Sequence, residues 1–233
     1  KMNKDKKRFT LIDNELKKEY QLDGIKGSTG PDVINIADLY KETGLFTYDP
    51  GFTSTAACNS KITFIDGEKG ILLYRGYPIE ELANNSSYLE VSYLLMHGEL
   101  PSESDKKEFE NTIRNHSLLN EQISYFFRGF RRDAHPMAMM IGVVGALSAF
   151  YHDSLNIEDP EHRMISTHRI LAKMPTIAAM AFKYHLGQPF MYPLNKYDYT
   201  DNFLHMCFAT PTEDYEINQL YSKIMDQIFI LHA

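Results

Sequence analysis

The sequence predicts a mainly α protein with a small β-rich region at its N-terminus. Up to about residue 75 the apolar residues come in short β-prone runs separated by glycines and charges; from Pro78 onwards they recur at helical spacing. A further observation is the stretch Met137 to Tyr151, apolar with Gly142, Gly145, Ala146 and Ala149 interspersed. At about 1.5 Å per residue such a helix spans roughly 23 Å, short of the ~20 residues a bilayer crossing needs. It is expected to be a buried central helix on which the other helices pack, entered through Arg131-Arg132-Asp133.

Phe9 to Ile12, Asp32 to Ile36 and Gly44 to Tyr48 read as short strands. The glycines of GIKGSTGP do not make a phosphate loop, because no Gly-Lys-Ser/Thr follows and Pro31 stands where a helix should begin. They read as turn glycines. Residues 61–75 are two apolar runs around Asp66-Gly67-Glu68-Lys69-Gly70, a hairpin. This divides the chain into a β-rich region, residues 1–60, and a hairpin followed by a helical domain, residues 61–233.

A short helix is expected over Pro78 to Ala83, and a second through Leu89, Tyr93 and Met96, stopped by His97-Gly98. Ser102 caps a third over Glu103 to Asn115. Glu121 to Phe130 leads into the central helix. Asp159-Pro160-Glu161 opens a helix to Lys173, Met174-Pro175-Thr176 breaks it, and Ile177 to Leu186 resumes it. After a proline-punctuated loop, Asn202 to Phe208 is a short helix. A capping signal at Thr212 to Glu216 leads into Ile217 to His232. That last run has a strong apolar face and no terminating cap, so the fold is expected to continue past Ala233.

With 233 residues, 43% hydrophobic and 24% charged, the composition is that of a soluble globular protein. A net charge of −7 argues against nucleic acid or an anionic membrane as the main partner. Two cysteines make no disulfide framework and no secretory signal follows the basic start, which points to the cytoplasm. None of the nine histidines lies three or four residues from another, so no helical metal pair is expected. Neither a Cys-x-x-Cys nor a Gly-x-Ser-x-Gly occurs. Arg169 and Lys173, four apart on one helix face, could hold a phosphate together with the helix ends at Tyr151-His152 and His116-Ser117; a solvated basic face is the plainer reading. By itself His232, beneath an apolar run, reads as a hydrogen-bonded core histidine.

Four long strings carry a resemblance: YDPGFTSTAACNSKITFIDGEKGILLYRGYPIEELA, FRRDAHPMAMMIGVVGALSAFYHDSL, LAKMPTIAAMAFKYHLGQPF and MDQIFILHA. From about Leu22 to Ala233 the chain resembles bacterial citrate synthase of the hexameric, NADH-regulated kind. The resemblance implies the multi-helix large domain of that family, incomplete at its C-terminal end. It implies an acyltransferase of the tricarboxylic acid cycle, a citrate (Si)-synthase that condenses oxaloacetate with acetyl-CoA to citrate and CoA. No cofactor or metal is implied; acetyl-CoA is a substrate and NADH an allosteric effector. Partners are these small molecules and further copies of the chain, as a dimer or hexamer.

In the family an aspartate takes the methyl proton and a histidine stabilises the enol or enolate. Their motifs have no counterpart in residues 1–233, so no catalytic residue is expected here and the chain alone should not turn over. His232 matches the first histidine of a His-x-x-His run and should border the substrate pocket. The family's NADH site maps onto His116, Ser117, Tyr151, Arg169 and Lys173. Asn115 stands where the family has an arginine, with Arg114 one place away, and Thr212 stands at a regulatory cysteine position. Two alternatives remain: 2-methylcitrate synthase, which uses propionyl-CoA, and a non-catalytic helical binding or assembly module.

Overall fold

The computed structural model describes residues 4–233. The protein is mostly helical with its strands near the N-terminus, and forms two compact units, one ending at Pro78 and one spanning Ile79–Ala233.

In the first unit β1 (Lys4–Asp13) pairs antiparallel with β2 (Lys18–Ile25), and β2 with β3 (Val33–Asn35). The expected runs at Phe9 and Val33 are strands. The middle strand β2 was not foreseen: only Tyr20, Leu22 and Gly24 alternate inward among charged neighbours. Gly44 to Tyr48 is not a strand. Instead α1 (Leu39–Thr43) ends there, with Gly44 in the left-handed conformation at φ 76° that a glycine reaches without a Cβ penalty. The chain then turns around Asp49, whose carboxylate accepts from the amides of Thr53 and Ser54 at 3.1 and 2.9 Å and from the Thr55 hydroxyl at 2.5 Å. These donors hold its pKa down to about 2, the Thr55 hydroxyl foremost. The hairpin of β4 (Thr63–Asp66) and β5 (Ile71–Tyr74) is as read, with a short third strand, β6 (Tyr77–Pro78), added to it.

The second unit begins with α2 (Ile79–Asn85) and α3 (Tyr88–His97). Ser87 and Glu90 form a reciprocal capping box at the start of α3, and Gly98 closes it at φ 96°. A second box, Ser102 with Asp105, starts α4 (Glu103–His116). There follow α5 (Glu121–Phe127), α6 (Pro136–Ala146), α7 (Pro160–Leu186), α8 (Tyr199–Phe208) and α9 (Gln219–Leu231).

The hub is α7, not α6. One core joins Ile123 and Phe127 of α5, Met139 and Val143 of α6, and Ile177 and Met180 of α7. Another joins Leu89, Phe109 and Ile113 to Ala172, and a third sets Met206 and Cys207 of α8 on Ala179. Helix α6 is one-sided: Met139 and Val143 are buried, whereas Met137 is 53% and Ile141 70% exposed. A segment apolar all round gives no sign of which side its own chain covers.

Pro175 does not break α7. Proline leaves the carbonyl four residues back without its helical donor. Here the Tyr199 hydroxyl donates to Leu171 O at 2.9 Å and fills the gap from another helix. The capping signal expected at Thr212 is instead a turn closed by the Thr210–Glu213 bridge, and Asn218 caps α9. No described helix is long and apolar enough to cross a membrane.

Candidate functional site

On α7, Arg169, Lys173 and Thr176 follow at spacings of four and three, so they share one face. That face meets the C-terminal end of α4, where the last carbonyls lack helical partners. The Lys173 ammonium donates to His116 O and, at 2.9 Å, to Leu118 O; Thr176 Oγ1 donates to Ser117 O at 2.9 Å. A cation against the negative end of a helix is stabilised by its dipole. Lys173 is buried, and burial, with the Arg169 charge beside it, pushes its pKa down to about 8.

Arg169 grips Asp153 through both terminal nitrogens, at 2.5 and 2.8 Å, and reaches Ser154 Oγ at 2.9 Å. This pair holds the Asp153 carboxyl down to about 2. The guanidinium carbon lies 4.8 Å from the Tyr151 ring centre, and the Lys173 nitrogen lies 5.2 Å from the same ring. His116 is held below the ordinary imidazole value by burial, then by the Lys173 and Arg169 charges. Burial likewise lowers His168, with His97 and His116 adding to it. The buried Arg169 Nε and His168 Nε2 have no hydrogen-bond partner among the described residues.

The structure therefore gathers His116, Ser117, Tyr151, Arg169 and Lys173 around one helix end. Such a cluster of two cations, an aromatic face and an imidazole suits an oligophosphate ligand with a stacking base. It is not a simple open phosphate cradle, because protein groups already occupy both cations. The Ser117 hydroxyl, too, donates to Arg114 O at 2.8 Å. Arg114, beside Asn115, lines a cavity that Ser117 and Thr176 also line, and it donates to Asn111 Oδ1 at 3.3 Å. Thr212 pairs with the Thr210 hydroxyl at 3.0 Å. His232 is not the core histidine that its apolar run suggested: it is the exposed C-cap of α9, where the chain's apolar face is uncovered among the described residues, its Nδ1 2.8 Å from Ile228 O.

That cavity, of about 120 Å³, lies among α3, α4, α7, α8 and α9. Apolar Leu89, Ile113, Ala172 and Met206 line it together with the carboxyls of Asp198 and Asp226. Burial raises both carboxyls above the ordinary carboxylate range. Neither was singled out from the sequence. The available signal was Asp226 itself, a carboxylate two residues from both Ile224 and Ile228 on an amphipathic helix. Among the described residues no group of three or more His, Cys, Asp or Glu is placed to hold a metal ion.

Residues 51–233 match the family described as citrate synthase, C-terminal domain. The chain belongs to the citrate synthase family. Among solved structures, it is similar to the citrate synthase of Pyrobaculum aerophilum at 29% identity and a TM-score of 0.68, covering 90% of this chain and 49% of that one. It is also similar to that of Thermotoga maritima MSB8 at 26% identity and a TM-score of 0.64, covering 79% of this chain and 46% of that one. A third, from Thermoplasma acidophilum, was solved as a ternary complex with carboxymethyl coenzyme A and oxaloacetate. At 21% identity and a TM-score of 0.72, over 80% of this chain and 47% of that one, it shares the fold. The chain thus spans about half the length of the citrate synthases it matches.

Proposed function

We propose that this chain serves a citrate (Si)-synthase that condenses oxaloacetate with acetyl-CoA to give citrate and free CoA. The match to the family over residues 51–233 carries the reading. The enzyme works in the cytoplasm and needs no cofactor or metal. Residues 1–60 form an accessory β-rich region, and residues 61–233 the first part of the large domain, with His232 at the border of the oxaloacetate pocket. The aspartate that takes the methyl proton and the histidine that stabilises the resulting enol or enolate belong to family motifs without a counterpart here, so residues 1–233 alone are inactive.

The test is CoA thiol release by the polypeptide as the cell makes it, supplied with oxaloacetate and either acetyl-CoA or propionyl-CoA. A higher kcat/KM for acetyl-CoA is expected. A preference for propionyl-CoA would convert the reading to a 2-methylcitrate synthase, and no release with either would leave a non-catalytic module.

The cluster at the end of α4 is proposed as an NADH effector site of the hexameric, NADH-regulated kind. Its support is the convergence of His116, Ser117, Tyr151, Arg169 and Lys173. Asn115 removes one charge-assisted contact, which weakens binding by about 1–3 kcal/mol relative to an arginine. Titration of the complete enzyme is expected to give saturable NADH binding together with inhibition; neither at millimolar NADH would end this reading. Self-association as a dimer or hexamer is supported by the outward stripe of α6, Met137 and Ile141, beside the exposed Tyr125 and Phe126 of α5.

A further inference from the structure

Three helices meet at one carboxylate. Asp226, in the middle of α9, accepts the Tyr88 amide at the start of α3 with both oxygens, each at 3.1 Å. The same carboxylate accepts the buried Thr200 hydroxyl, near the start of α8, at 3.1 Å. One residue further on, Gln227 Nε2 donates to Ala83 O of α2 at 3.0 Å. Phe229 packs at 5.4 Å on Tyr88, 6.2 Å on Tyr199 and 5.6 Å on Phe203. The other side of α9 has no such hold among the described residues, where Leu220, Tyr221, Ile224, Ile228 and Leu231 are exposed. Among the described residues the position of the helix along and around its axis is therefore set from one side, and Asp226 is its most directional contact.

That position reaches His232. The ring sits about 9 Å along the helix from Asp226, at about 1.5 Å per residue. It is bonded through Nδ1 to Ile228 O at 2.8 Å, so it moves with the last turn rather than independently. We propose that Asp226 is a positioning residue, its carboxylate locking α9 to α3 and α8 so that His232 is presented at a fixed place on the substrate pocket. The proposal rests on the citrate synthase reading of that pocket. Burial pushes the Asp226 carboxyl up, the bonds from Tyr88 and Thr200 pull it back, and the Asp198 and Glu90 charges push it up again. A neutral apolar residue would avoid that cost and would also lose both directional bonds.

In the complete enzyme, Asp226→Asn keeps an acceptor and sheds the buried charge, so its thermal midpoint is expected to stay close to wild type. Its KM for oxaloacetate is expected to rise about tenfold with kcat changed far less, since small displacements of a positioning group carry effects of this order. Thr200→Val, which removes only the hydroxyl, should raise KM in the same direction by a smaller factor, and Asp226→Glu should recover part of the loss. Wild-type KM in both Asp226→Asn and Thr200→Val overturns the proposal. The second readout uses the complete enzyme without substrate, where Asp226→Asn is expected to shift the His232 Cε1 nuclear magnetic resonance and to speed amide exchange over residues 228–233. If the wild-type enzyme makes no citrate, the reading beneath the proposal fails, and this readout decides the hold of Asp226 on His232: no change overturns it.

Discussion

Phe127→Ala is expected to lower the unfolding free energy of the helical unit by about 3–5 kcal/mol. Phe127 is fully buried where α5, α6 and α7 meet, and its ring lies 6.3 Å from Tyr184 and 5.6 Å from Phe190. Truncation removes the ring from water-free packing and leaves a cavity walled by three helices, which cannot all close in on it. Against a domain stability of roughly 5–15 kcal/mol the loss is large. Phe127→Leu, closer in volume, should cost about 1.5 kcal/mol or less. Ile141→Ala supplies the contrast: the same α6 that buries Met139 leaves Ile141 70% exposed, so in the monomeric helical unit its removal should cost no more than about 0.5 kcal/mol. Urea midpoints followed by circular dichroism at constant slope measure all three. Equal losses for Phe127→Ala and Ile141→Ala would mean that the inward face of α6 is wrongly assigned.

What could be read from the sequence was local chemistry. Ser102, Gly98 and the loop between Asp66 and Gly70 act through residues three or four places away, and the structure uses them as caps and a turn. Features that depend on distant partners were read wrongly. Pro175 looks like a break until Tyr199 arrives at the vacated carbonyl, and α6 looks buried all round because its uniform composition carries no period. Strand β2 escaped because three inward residues, one of them Gly24, are a faint alternation. The effector candidates were legible by resemblance, and Arg169 with Lys173 by spacing as well. That both cations are already held by Asp153 and by the end of α4 required coordinates, as did Asp226.

Replacing Lys173 by methionine should affect both the proposed nucleotide site and the pH dependence of stability. If the ammonium meets a phosphate, losing a charge-assisted bond worth about 1.5–3 kcal/mol should weaken NADH binding roughly tenfold to a hundredfold. The stability effect has a definite sign. Lys173 has a pKa of about 8 when folded against an ordinary 10.5, so between these values the unfolded chain binds more protons. Stability therefore rises as pH increases through that window, by up to about 1 kcal/mol from pH 8 to 9. Above pH 9 the trend is opposed, because burial holds the Cys207 thiol up to about 12 while an unfolded thiol ionises near 9. Lys183, also depressed by burial, works in the same direction as Lys173 and stays in the variant, so a residual slope should persist. His116, lowered from 6.5, titrates below the window, and Tyr151, raised from 10.0, adds to the opposing trend above pH 9. Denaturation curves at pH 8 and 9 should thus rise more steeply in the wild type than in Lys173→Met. Unchanged NADH affinity would show that the lysine only closes the end of α4 and meets no phosphate, while identical slopes would show that its ammonium is not depressed by burial there.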